Sequence, residues 1–165
     1  MRIAGIVHDS VVDGPGIRFV VFAQGCGQEC EECHNPESWD PDGGVDMAVE
    51  DIINEMWGNP LTDGLTLSGG EPFLQSAACL KIVEAAHEDG LNVWIYTGLT
   101  FEELLLRADN DADIKRLLEL TDVLVDGPFI FAERTMSLKW RGSRNQRIID
   151  VQKSIISGEP VEISG

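Results

Sequence analysis

The sequence predicts an α/β fold, an open, partial (β/α) barrel of about five to six parallel strands, on three observations. Short β-branched and aromatic runs alternate with stretches of helical period, which implies parallel strands joined by helical crossovers. The segments richest in Gly, Cys and Asp follow the C-terminal ends of those runs, where parallel sheets hold their ligands. At 165 residues the chain falls short of the ~200 that a complete eight-stranded barrel needs, and one domain over residues 1–165 is expected.

Residues 17–23 (IRFVVFA) follow the turn-rich Asp13-Gly-Pro-Gly16 and read as a buried strand, with a cysteine cluster just beyond its end. Apolar residues at 49, 52, 53 and 56 give residues 47–57 the period of an amphipathic helix. A short strand at 65–67 ends in Ser68-Gly-Gly-Glu-Pro72, and a helix over 75–88 is closed by Gly90. A strand at 93–96, helices around 101–107 and 114–120, and a strand at 123–125 continue the alternation.

Hydrophobic residues make up 43% and charged residues 25%, the balance of a folded globular chain rather than a disordered one. The net charge of −17 argues against a protein whose work is gripping nucleic acid or an anionic membrane. No window approaches the ~18 apolar residues of a membrane span, and the apolar stretch before Asp9 is too short for a signal peptide, so a cytoplasmic setting is expected. The charge is uneven: residues 134–165 carry +3 and residues 1–133 carry −20.

Three of the four cysteines, Cys26, Cys30 and Cys33, lie within eight positions, a clustering that suits a metal better than disulfides. Three thiolates on one loop are an incomplete set for a four-iron cubane and would leave one iron open to a substrate. The alternative is a structural zinc in a non-enzymatic interaction module, completed by His34 or a remote residue; neighbouring Cys33 and His34 would be awkward partners on one ion because adjacent side chains diverge. Cys79 shares a helix face with Ile82, Val83 and Ala86 and belongs to the core.

Cys-x3-Cys-x2-Cys followed by a strand-terminal Gly-Gly-Glu resembles the radical S-adenosylmethionine (SAM) enzymes, and more narrowly the activating enzymes of glycyl radical proteins. Asp13-Gly-Pro-Gly-Ile-Arg18, Gln24-Gly-Cys26, Cys33-His-Asn-Pro36 and Trp39 look like the opening that this family shares. Tyr96-Thr-Gly98, residues 122–127 (DVLVDG) and residues 140–147 (WRGSRNQR) are similar to the branch that acts on anaerobic ribonucleoside-triphosphate reductase rather than on a pyruvate formate-lyase-like enzyme.

The resemblance implies one 4Fe-4S cluster held by Cys26, Cys30 and Cys33, with SAM on the open iron. A reduced cluster cleaves SAM to methionine and a 5′-deoxyadenosyl radical, which removes hydrogen from a glycine of the partner; a flavodoxin or ferredoxin supplies the electron. Gly69, Gly70 and Glu71 are expected to receive the methionyl ammonium, and Glu32 and His34 to border the adenine, although Glu32 stands where many relatives have an aromatic or apolar residue. Thr97 and Asp126 are candidates to hold a monovalent cation near the SAM carboxylate, and the basic 140–147 segment to help dock the partner.

Overall fold

The computed structural model of the chain describes residues 1–164. Its centre is one sheet of seven strands in the order β3-β1-β2-β4-β5-β6-β7. β1 (Arg2–Ser10) runs antiparallel to β2 (Arg18–Ala23) and to the two-residue β3 (Val45–Asp46). From β2 onward β4 (Gly64–Gly69), β5 (Asn92–Tyr96) and β6 (Val123–Asp126) are parallel, and β7 (Arg147–Asp150) closes the row antiparallel to β6. The expected α/β alternation is therefore present, but four strands are parallel rather than five to six.

The two ends of the sheet differ from the expectation for a physical reason. β1 carries Arg2, Gly5, His8 and Asp9 among its apolar residues, so no clean alternation announces it; its pairing with β2 supplies the order. β7 is a four-residue strand set between polar neighbours, and residues 161–163 cover its outer edge, with Asp150 N–H donating to Val161 O at 2.9 Å and Ile163 N–H to Ile148 O at 2.8 Å.

The helices all pack on one face. α1 (Val49–Trp57), α2 (Ser76–Glu88), α3 (Phe101–Ala108), α4 (Ala112–Leu120) and α5 (Val151–Ser157) bury Ile52, Met56, Cys79, Ile82, Leu104, Leu117 and Val151 against Phe19, Val21, Leu65, Leu67, Val93, Ile95 and Leu124 of the strands. Their starts are written locally: Thr100 and Glu103 form a reciprocal capping box on α3, and Asp111 and Asp150 accept from the first turns of α4 and α5.

The opposite face carries a smaller cluster of Trp94, Val125 and Ile148, packed by Tyr96, Trp140 and Ile163. Arg18 is fully buried on this side, where its guanidinium donates to Thr66 Oγ1 at 3.0 Å, Asn92 Oδ1 at 2.5 Å and Leu65 O at 2.7 Å. Loss of hydration there lowers its pKa to about 10. Loops, not helices, shield this face: Gly14 lies against Trp94, and the Trp140 ring meets the Trp94 ring edge-on at 5.2 Å.

Candidate functional site

β2 delivers the chain into a long loop whose base is clamped by its own backbone. Gly25 N–H donates to Ser38 O at 2.6 Å and Cys26 N–H to Trp39 O at 3.2 Å, so the two ends of the loop run side by side. The buried Gln24 amide donates to Glu37 O at 2.9 Å and Asp40 O at 2.7 Å, and Gln75 Nε2 donates to Gln24 O at 3.1 Å. These three contacts join the loop to itself and to the segment that precedes α2. Nothing in the local sequence marks Gln24 or Gln75 as staples; their role depends on residues brought close only by folding.

Within this base Cys26, Cys30 and Cys33 are all free and all half-buried. Cys33 N–H donates to Cys30 O at 3.1 Å, and Glu29 (φ 46) and Glu32 (φ 55) turn the chain through the left-handed region, which brings the thiols onto one stretch of loop. Burial raises the Cys26 thiol pKa above its ordinary value, partly offset by hydrogen bonds from the backbone of Gln28. The fourth cysteine is elsewhere: Cys79 is sealed in the helix-side core, its thiol donating to Pro72 O at 3.4 Å and its pKa pushed up to about 12 by burial.

Beside the loop, β4 ends in two glycines whose lack of a side chain the packing requires. A Cβ on Gly69 (φ +89) would lie 2.6 Å from Ala23 N, and one on Gly70 would lie 2.4 Å from Gly25 O. Gly70 N–H donates to Ala23 O and Glu71 N–H to Gly25 O, both at 2.8 Å, so the glycine turn and the cysteine loop form one backbone unit. The Gly70 carbonyl receives no hydrogen bond among the described residues. A cleft of about 190 Å³ opens next to this junction, lined by Ala4, Gly5, Phe22, Asn35, Glu37 and Gly69.

The Glu71 side chain turns into the fold. Its side chain is 3% exposed, with Oε1 accepting from Phe73 N–H at 3.2 Å and Oε2 from Gly98 N–H at 2.9 Å, while the Thr97 hydroxyl lies 2.9 Å from both oxygens. Those contacts engage both carboxylate oxygens with three donors inside the fold. Burial raises its pKa, opposed by the same hydrogen bonds.

Thr97 and Asp126 lie beside one another where β5 and β6 end, Thr97 N–H donating to Val125 O at 3.0 Å, but their side chains have different partners. Thr97 is spent on Glu71 and on Leu99 N–H, whereas Asp126, 1% exposed, accepts from Phe101 N–H at 2.8 Å and pairs with Arg147 Nη2 at 2.5 Å. No side-chain hydrogen bond joins the two residues among the described contacts. Arg147 also reaches Glu102 at 2.7 Å and its pKa rises, first through Asp126.

Glu32 and His34 are both exposed on the far arm of the loop. The His34 ring packs on Phe129 with centroids 5.0 Å apart, and a Cβ on Gly142 would lie 3.3 Å from His34 Cε1, so residues 128–146 border the cysteine loop. Phe129 was not among the residues singled out by sequence, because an isolated aromatic after Gly127-Pro128 carries no local signal. Arg141 turns into its own loop toward Gln146 O at 3.5 Å, which leaves Arg134, Lys139 and Arg144 as the exposed cations of that segment.

The donor set can be tested against the two metal readings. Among the described residues no three His, Cys, Asp or Glu side chains converge on a point suited to one ion. A tetrahedral zinc gathers its ligands within ~2.3 Å of a single centre, whereas a four-iron cubane takes each thiolate at a separate corner. Three free thiols on one clamped loop are a donor set that a cubane could take at three corners, and bound iron would hold them as thiolates despite the raised pKa of Cys26.

Comparison with known proteins agrees. The family described as 4Fe-4S single cluster domain matches residues 12–149. The chain is 36% identical over 146 residues to the anaerobic ribonucleoside-triphosphate reductase-activating protein of Haemophilus influenzae, covering 84% of this chain and 90% of that protein. It is 35% identical over 144 residues to the protein of the same name from Escherichia coli (strain K12), covering 82% and 90%. The pyruvate formate-lyase 1-activating enzyme of the same strain is 37% identical over 134 residues, but these cover 76% of this chain and 52% of that enzyme.

Proposed function

Because the chain belongs to the family of anaerobic ribonucleoside-triphosphate reductase-activating proteins, we propose that it is a radical SAM activase that installs a glycyl radical on such a reductase. The observation that carries this reading is the division of the four cysteines: three free on one clamped loop against the Gly69-Gly70 turn, the fourth sealed in the core. In this reading the open sheet is a partial barrel of the radical SAM type, working as one domain over residues 1–165. When bound, the cluster would supply the electron that cleaves SAM, leaving a carbon radical to take hydrogen from a glycine of the partner.

The chain's own residues supply position and exclusion of water. Cys26, Cys30 and Cys33 would hold the cluster, and three ligands for four irons would leave one iron open to SAM. The free carbonyl at Gly70 is suited to accept from the methionyl ammonium, and the absence of side chains at Gly69 and Gly70 lets the cysteine loop pack directly against this turn. The backbone at Glu32 and the His34 ring, which packs on Phe129, would border the adenine. Arg134, Lys139 and Arg144 offer the partner a basic surface on an otherwise acidic chain, and a flavodoxin or ferredoxin is the electron donor in a cytoplasmic setting. No helix among the described residues is long and apolar enough to cross a membrane.

Anaerobically reconstituted, dithionite-reduced protein should convert SAM to 5′-deoxyadenosine and methionine, and on addition of the reductase should produce a glycyl radical signal in electron paramagnetic resonance. A fully loaded protein that leaves SAM intact would overturn the reading. Identity to the pyruvate formate-lyase 1-activating enzyme supports a second partner class, which substitution of a pyruvate formate-lyase in the same experiment tests. The fuller coverage of the reductase activators favours the first.

A further inference from the structure

Glu71 occupies a place that the proposed chemistry does not use directly. Its backbone N–H holds Gly25 O at 2.8 Å, one residue before the first cysteine. Its buried carboxylate reaches the other way, binding the Thr97 hydroxyl and the Gly98 N–H at the end of β5. Gly98 in turn is the surface on which the cysteine loop rests: a Cβ there would lie 2.8 Å from Gln28 Cγ. Gln28 is two residues beyond Cys26 on the same arm of the loop. One residue thus grips the loop both just before Cys26 and, through Thr97 and Gly98, just after it.

From this arrangement we infer that Glu71 is a positioning residue for the Cys26 arm of the loop, acting with Thr97 through Gly98 and Gln28, and that neither side chain contacts SAM or a cation. The physical argument is one of acceptor capacity and burial. A carboxylate sealed from water needs donors, and here the donors are two backbone N–H groups and one hydroxyl, all on segments that frame the loop. Loss of the Thr97 hydroxyl leaves that carboxylate under-satisfied and frees the Gly98 turn to shift, which loosens Gln28 and with it Cys26. Cys30 and Cys33 lie farther along the loop and do not depend on this contact chain.

The inference rests on the proposed function only for the purpose of the loop, so its primary test uses the metal-free chain. Thr97→Val, Thr97→Ser, Gln28→Ala and wild type are treated with iodoacetamide, and the rate at each cysteine is read by peptide mass spectrometry. Thr97→Val should speed modification of Cys26 by about fivefold or more with Cys30 and Cys33 unchanged. Thr97→Ser should restore the wild-type rate. Gln28 is exposed, so Gln28→Ala leaves the core intact and should reproduce the selective effect. An unchanged Cys26 rate in both Thr97→Val and Gln28→Ala, or an equal rise at all three cysteines, overturns the inference.

After reconstitution, Glu71→Gln and Thr97→Val should alter the reduced cluster's paramagnetic signal alike, and the double variant should add little to either. A KM for SAM raised by Glu71→Gln alone, with Thr97→Val silent, would instead make Glu71 a ligand contact and sink the inference. Loaded wild-type protein that fails to cleave SAM, with the selective alkylation pattern still present in the variants, would refute the proposed function and leave the positioning role standing.

Discussion

Cys30 and Cys79 have the same side chain and opposite surroundings. Cys30→Ser should abolish the brown iron–sulfur absorbance after anaerobic reconstitution, whereas Cys79→Ser should retain it; iron analysis of both variants checks this. The glycines divide in the same way. Gly69→Ala forces a Cβ against Ala23 N in left-handed backbone and should cost at least about 3 kcal/mol, while Gly90→Ala, with φ +73 but open space around it, should cost about 1 kcal/mol, both read by urea unfolding. Glu71 adds a pH dependence. Its folded pKa is raised, so the folded state holds that proton more tightly and the resulting stability is present at low pH; it is lost as pH rises through the folded value. Stability measured against pH should accordingly fall less steeply across the upper carboxylate range in Glu71→Gln than in wild type. The cysteine triplet and the glycine turn were readable because each is contiguous. The orientation of Glu71 was not, since its partners Thr97 and Gly98 lie 26 and 27 residues away.

Helices and central strands were legible for a similar reason: their period and their caps are local. The helix expected over 75–88 begins instead at Ser76, because Pro72–Gln75 forms a tighter turn with Pro72 at its start. Asp126 illustrates what remained hidden. It ends β6 as expected, yet its function in the fold is to receive the first N–H of α3 and to pair with Arg147 of β7, a strand that sequence did not announce. Arg147→Met should leave that buried carboxylate without its cation and destabilise the chain by about 3 kcal/mol, the low end for a broken buried pair because Arg147 keeps partial exposure. Glu102→Gln touches the same arginine from the solvent side and should cost well under 1 kcal/mol in the same unfolding measurement.

Across the whole molecule, the segregation of charge survives folding as geography: the exposed cations Arg134, Lys139 and Arg144 lie on the segment that borders the cysteine loop through Phe129 and Gly142. Replacing these three by glutamate should lower the rate of radical transfer to the reductase and flatten its dependence on ionic strength, while SAM cleavage without partner stays at the wild-type rate. Composition predicted the imbalance but not its location, because where a loop lands is a property of the sheet order.

That sheet order has one further consequence. An open row of strands has two margins, and each bears unpaired amides that another chain can copy. On one side β3 covers only Arg2 and Ile3 of β1, whereas on the other residues 161–163 occupy the outer edge of β7. The 161–163 segment therefore acts as a selvedge. Trimming it would bare four residues of β7 to strand addition from neighbouring molecules, and the penalty would surface as fibrillar precipitation during expression before any fault in the chemistry could be measured.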